Sequence, residues 1–260
     1  MRLLHRLIAM ALGLLVSGIA LADIDRPKYV AALRAADEFL TLAESSQATG
    51  QMPRQTDPKI KALLDQVFDR SVVGPKVWEQ LVGITWMVDL LDHADRVGLV
   101  YMLAGTGQTS FSEVADDPKT MEIVERNTAT YAPEIGRWLD YRMVLQGAVT
   151  DMVVVDLASA ESETVLGRPQ AQQVLGKFRQ DLARSIAGVF QIMSNDAMDD
   201  GWRRDRMVSL TELAPKAARL LSPDDAKELQ DSANALAEEV SDPSLKASLE
   251  SFGETITKQR

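Results

Sequence analysis

Proline punctuates this chain in one recurring way. Asp57-Pro58, Asp117-Pro118, Ser222-Pro223 and Asp242-Pro243 each place a side chain able to accept from free amides just before a residue whose fixed φ suits a first helical turn. Each pair predicts a helix start. Gly74-Pro75 and Arg168-Pro169 repeat the arrangement with weaker caps, and Pro27 opens the first helix beyond the N-terminal leader. Between these marks the apolar residues return every three or four positions rather than every two, the period of a helix and not of a strand. From Pro75 to Ala104, residues Val77, Leu81, Ile84, Val88 and Leu91 form one stripe, and Met87, Leu90, Ala94, Val97 and Tyr101 an adjacent one. That face suits a central helix.

The same spacing predicts helices at 27–46, 58–70, 76–104, 118–131, 134–160, 169–195, 207–221, 223–240 and 243–258, with no strand. A strand competes only at "VTDMVVVDL", residues 149–157, where β-branched residues cluster. Helix is preferred there, because Tyr141, Val144, Leu145, Ala148, Met152 and Val155 make a continuous stripe through it. "QATGQMPRQTD" at 47–57 reads as a loop, and "AGTGQTS" at 104–110 as a helix end with Gly105 or Gly107 in the left-handed conformation. The expected fold is therefore all-α: an irregular multi-helix bundle or a short solenoid-like stack of about nine helices. It is expected to form one domain over residues 23–260, with a subdivision near residue 200 as the alternative.

The leader "MRLLHRLIAMALGLLVSGIALA" has two arginines, an apolar run from Leu7 to Ile19 and a small-x-small site at Ala20-Leu21-Ala22. It reads as a cleaved signal peptide over residues 1–22, cut after Ala22, which places the mature protein in a periplasm or outside the cell. No stable membrane insertion is expected after cleavage. The chain has no cysteine, so no disulfide braces the fold even in an oxidising compartment. Without the leader its 28 lysines and arginines fall to 26 against 38 acids, a balance of −12. Phosphate backbones and anionic membranes repel such a chain, so nucleic acid is not an expected partner.

Three stretches invite a chemical reading. "DLLDHAD", residues 89–95, holds His93, the only histidine outside the leader. At 100° per residue Asp89, Asp92, His93 and Arg96 share one helix face, opposite the apolar stripes. They are the candidate catalytic residues, an acid/base or metal centre; the plainer reading is a solvated face whose acids pair with His93 and Arg96 at helix spacing. One imidazole and no thiolate make a poor zinc set, so no metal and no cofactor are expected. "NDAMDDGWRRDRM", residues 195–207, fails as a calcium loop, because its third and twelfth positions are Met198 and Met207. It leaves Trp202, Arg203, Arg204 and Arg206, a candidate binding cluster for a carboxylate, a phosphate or an acidic patch, or else a charged turn neutralising nearby aspartates. The glycines at 104–110 lack the lysine of a phosphate-binding loop, and no nucleophile elbow occurs. The methionines are dispersed and read as core filler rather than copper ligands.

Three functions survive. The first is an exported helical accessory protein that binds another envelope protein. The second is a small-ligand or lipid carrier walled by the helices at 76–104 and 134–160. The third is a carboxylate- and histidine-dependent hydrolase centred on Asp89, Asp92 and His93.

Overall fold

Capping decides where most of the helices begin. In the computed structural model, which describes residues 26–47, 51–72, 81–110, 117–159 and 169–258, nine α-helices and one 3₁₀ turn form and no strand is present among the described residues. They are α1 (Arg26–Gln47), α2 (Pro58–Val67), α3 (Leu81–Met102), α4 (Pro118–Thr130), α5 (Ala132–Ser159), α6 (Pro169–Met193), α7 (Asp200–Ala217), α8 (Pro223–Glu239) and α9 (Pro243–Thr257), with the 3₁₀ turn at Arg70–Val72. The Asp57 and Asp117 side chains accept from the amides of Lys59 (2.8 Å) and Lys119 (3.1 Å), and proline follows each cap. Ser222 accepts from Asp225 N–H, and Asp242 from the amides of both Ser244 and Leu245. Each bond satisfies a donor that the helix itself leaves free.

The leader, Gly74-Pro75, Val77 and Trp78 lie outside the described residues. The β-rich stretch 149–157 is helical, as the last turns of α5. Gly105 and Gly107 both take positive φ, at 75° and 73°, in the turn after α3. One boundary differs clearly from expectation: α7 starts at Asp200 rather than near 207, capped by Asp199, which accepts from Trp202 N–H at 2.8 Å. Trp202 and its arginines therefore stand on the first turns of a helix.

The chain forms a multi-helix bundle with a simple packing order. α1 lies on α2 and α3, α3 on α5, α5 on α7, α7 on α9, and α9 on α8, which also meets α6; α4 rests on α3 and α5. Apolar stripes meet along this series. The inner face of α3 is Met87, Leu90, Ala94, Val97 and Tyr101, all buried, while Val88 and Leu91 are partly buried at its flank. Phe39, Tyr101 and Tyr131 follow one another with ring centroids 5.5 and 5.3 Å apart, joining α1, α3 and the end of α4; Phe190 and Phe252 meet edge-on between α6 and α9. Met52, Met87, Met102, Met143, Met193, Met198 and Met207 are buried, as filler should be. Among the described residues no helix is long and apolar enough to cross a membrane.

Candidate functional site

The "DLLDHAD" stretch lies in the middle of α3, where its candidate residues form the outer lip of the seam with α1. The His93 ring folds back along its own helix, so that Nδ1 sits 2.7 Å from the carbonyl oxygen of Asp89. A carbonyl only accepts, so Nδ1 carries a proton and donates to it. Nε2 is 3.9 Å from Asp37 on α1, and Arg96 is 4.0 Å from the same carboxylate. The Asp89 carboxylate is engaged elsewhere: it accepts from the Tyr29 hydroxyl at 3.0 Å, and Tyr29 stacks on Trp86 at 4.5 Å. Burial, and then Asp89 itself, push the Tyr29 phenol up, which keeps it protonated as the donor.

The acids therefore do not pair with His93 along the helix, as the plainer sequence reading supposed. No ion pair joins Asp92 to His93 among the described residues, and no group of three or more metal-binding side chains forms there. The face is also less wet than expected, since the His93 side chain is 23% exposed beneath Asp37. The imidazole thus has one nitrogen on a backbone carbonyl and the other facing a single acid at 3.9 Å.

The third aspartate of the stretch behaves differently. Asp95 is buried, accepts from the Trp138 indole N–H at 2.9 Å and pairs with Arg142, both on α5. Arg142 Nη2 and Gln146 Nε2 then both donate to Ser185 Oγ on α6, at 2.9 and 2.6 Å. One polar chain thus links α3, α5 and α6 through the interior. Its sequence signal was position: Asp95 is turned away from Asp89 toward Val88 and Leu91, so it enters packing and must be paired there.

The structure brings the Trp202 cluster together and turns it inward. The Trp202 indole donates to the Ala132 carbonyl at the start of α5 (2.8 Å). Arg203 Nε donates to the Met193 carbonyl (2.8 Å) and Nη2 to that of Asn195 (3.2 Å), satisfying the end of α6, while Nη1 reaches Asp200 (3.0 Å). Arg204 pairs with Asp242, the cap of α9. Arg206 grips both oxygens of Asp140 on α5 at 2.8 and 2.6 Å and lies over the Trp202 ring. Arg203 and Arg206 are buried. The four residues are a junction of α5, α6, α7 and α9, in which Trp202, Arg203 and Arg206 turn their donors to the protein itself and Arg204 stays half exposed beside Asp242.

Asp242 gives that junction a pH dependence. The amides of α9 and the Arg204 guanidinium hold its carboxyl below the usual range, with the Leu245 N–H the largest influence. A lowered folded pKa contributes stability above the unfolded value of about 3.9, and that contribution is lost as pH falls through the folded value. Asp242→Ala is therefore expected to lower Tm most near neutrality, with the variant and parent curves converging in acid. A gap in Tm that stays constant from neutrality into acid would contradict this.

Sequence reading missed Glu134. It is buried in the first turn of α5, where one oxygen accepts from Gln55 N–H (2.9 Å) and Arg54 Nε (3.2 Å) and the other has no partner among the described residues. Met52 N–H donates to Tyr131 and the Tyr101 hydroxyl to the Pro53 carbonyl, so residues 52–55 are held against α3, α4 and α5. The signal was in its helical neighbours, since Tyr131, Trp138 and Tyr141 stand three before, four after and seven after it and are all buried.

Beside His93 the α1/α3 seam opens into a groove of about 500 Å³. Leu40, Leu99 and Val100 supply its apolar surface above the buried Leu103; Asp37, Thr41 and Glu44 line one side and Arg96 and Gln108 the other. Its volume is within the range of small-molecule sites, roughly 300–1,000 Å³, and it is open to solvent. No protein-family model, curated protein or solved structure matches this chain.

Proposed function

We propose that this protein is an exported, all-helical accessory of the bacterial envelope, and that it works by binding another protein at the α1/α3 groove. The observation that carries the reading is the groove itself, an open trough in which partly exposed apolar side chains lie between charged edges and the Asp37 carboxylate has only loose partners. The other two polar clusters support it by contrast, because the Trp202 arginines and the Asp95 chain bind helices to one another. Val208 is the one large apolar side chain exposed among the described residues. Binding through a broad greasy patch is therefore not the mode proposed; a groove that admits a segment of the partner is.

Chemical crosslinking in intact cells, followed by recovery of the tagged mature protein, is expected to yield a discrete adduct with one envelope protein. His93→Ala is expected to leave that adduct in place. Exported, folded protein that forms no adduct would overturn the binding role, and loss of a hydrolytic activity on His93→Ala would favour the hydrolase reading instead.

A further inference from the structure

We infer that the segment received by the α1/α3 groove is a short amphipathic helix of the partner whose polar side carries lysine or arginine; this rests on the binding role proposed above. Length comes first. Asp37 and Glu44 are seven residues apart, about 10 Å of helix, and lie on one face of α1 because seven residues make nearly two whole turns. Leu40 and Thr41 fall between them, and on the facing wall Arg96 to Leu103 span the same seven residues, with Leu99 and Val100 partly exposed along it. A trough two turns long, with apolar contacts in the middle and polar groups at its edges, matches a helix presenting anchors at i, i+3 or i+4, and i+7.

Charge selects among occupants. The Asp37 side chain is 66% exposed, and its nearest side-chain nitrogens, on His93 and Arg96, sit at 3.9 and 4.0 Å, the outer limit of an ion pair. Glu44 is exposed and makes no ion pair among the described residues. Two loosely held carboxylates a helical repeat apart would receive cations at the same spacing. The whole chain is acidic, at −10, which steers a basic segment toward it. A second copy of this chain would bring its own acids to the same edge, and an anionic lipid surface would be repelled. Arg96 on the opposite edge is 43% exposed and sets the direction of the occupant by taking an acidic residue at one end.

The test uses three synthetic helical peptides of equal length and identical apolar stripe, their polar faces made of lysine, glutamine or glutamate. In titrations followed by fluorescence anisotropy at low salt, the lysine peptide is expected to bind about tenfold or more tightly than the glutamine peptide, with no binding of the glutamate peptide. Asp37→Asn with Glu44→Gln should remove most of the lysine preference. Asp224→Asn with Asp231→Asn, the same change in net charge placed on α8, should preserve it. Val100→Asp should abolish binding of both peptides while the helical circular dichroism is unchanged. Equal binding of all three peptides, or an equal loss from the α8 pair, would overturn the inference. If that happens while the cellular adduct persists, the binding role stands and only this occupant is wrong; loss of the adduct removes both.

Discussion

Gly98→Ala is expected to destabilise the fold by about 3 kcal/mol, the upper part of the range for overpacking a filled core. That corresponds to a drop in Tm of roughly 10 °C for a chain of this size. A Cβ at Gly98 would stand 2.0 Å from Cδ2 and 2.3 Å from Cγ of Trp138, whose ring is laid flat on the α3 backbone. The ring has no free direction in which to yield. Its indole N–H is held by Asp95, which also binds Arg142, and Arg142 reaches Ser185 on α6. Moving the ring takes one of two partners from a buried carboxylate and loosens the contact of α3 with α5. Gly188→Ala on α6 is the matched control, since a Cβ there meets nothing within 4 Å. It is expected to stabilise by about 0.5–1 kcal/mol, as alanine does in a helix interior. Thermal unfolding of the two variants side by side checks both signs, and equal Tm values would refute the packing argument.

Arg206→Ala is expected to cost about 3–5 kcal/mol, the usual penalty for leaving one partner of a buried ion pair alone. Asp140 loses two charge-assisted bonds and keeps Ser209 at 3.2 Å and Arg70 at 3.7 Å. Burial already pushes the Asp140 carboxyl upward while Arg206 pulls it back. Without Arg206 its folded pKa rises further above the unfolded value, so the variant folds with proton uptake. The deficit should therefore be greatest near neutrality and shrink as pH falls toward about 4. Removing both charges, as Asp140→Leu with Arg206→Met, is expected to recover a large part of the loss, because apolar residues of similar volume replace such pairs at little cost. Urea unfolding of the four members of the cycle measures the coupling. Additive losses in the two single variants would show that the pair is not a unit.

These two positions also show how far the fold could be read in advance. Helix starts marked by an acid or serine before proline were legible because cap and fixed φ are both local. α7 was misplaced for a physical reason: its buried face carries Arg203, Arg206 and Ser209, so no continuous apolar stripe marks its first turns. Asp199, its cap, is followed by Asp200 rather than proline. Asp95 and Glu134 stand on apolar stripes, but the arginines that compensate them, Arg142 and Arg54, lie on distant segments that local spacing does not reveal. His93 attracted the eye because histidine is rare here. The structure assigns it a backbone carbonyl and a single remote acid, and the adjoining groove took its form from Leu40, Leu99, Val100 and Leu103, residues that look like ordinary core in the sequence.

The central claim is that contact with other molecules occurs at the α1/α3 groove and not at the Trp202 arginines. A photo-crosslinking amino acid placed in intact cells at Val100, and separately at exposed Val208 beside the arginine junction, tests it most directly. A discrete protein adduct from position 100 and none from position 208 is the predicted result; an adduct from 208 alone would contradict it.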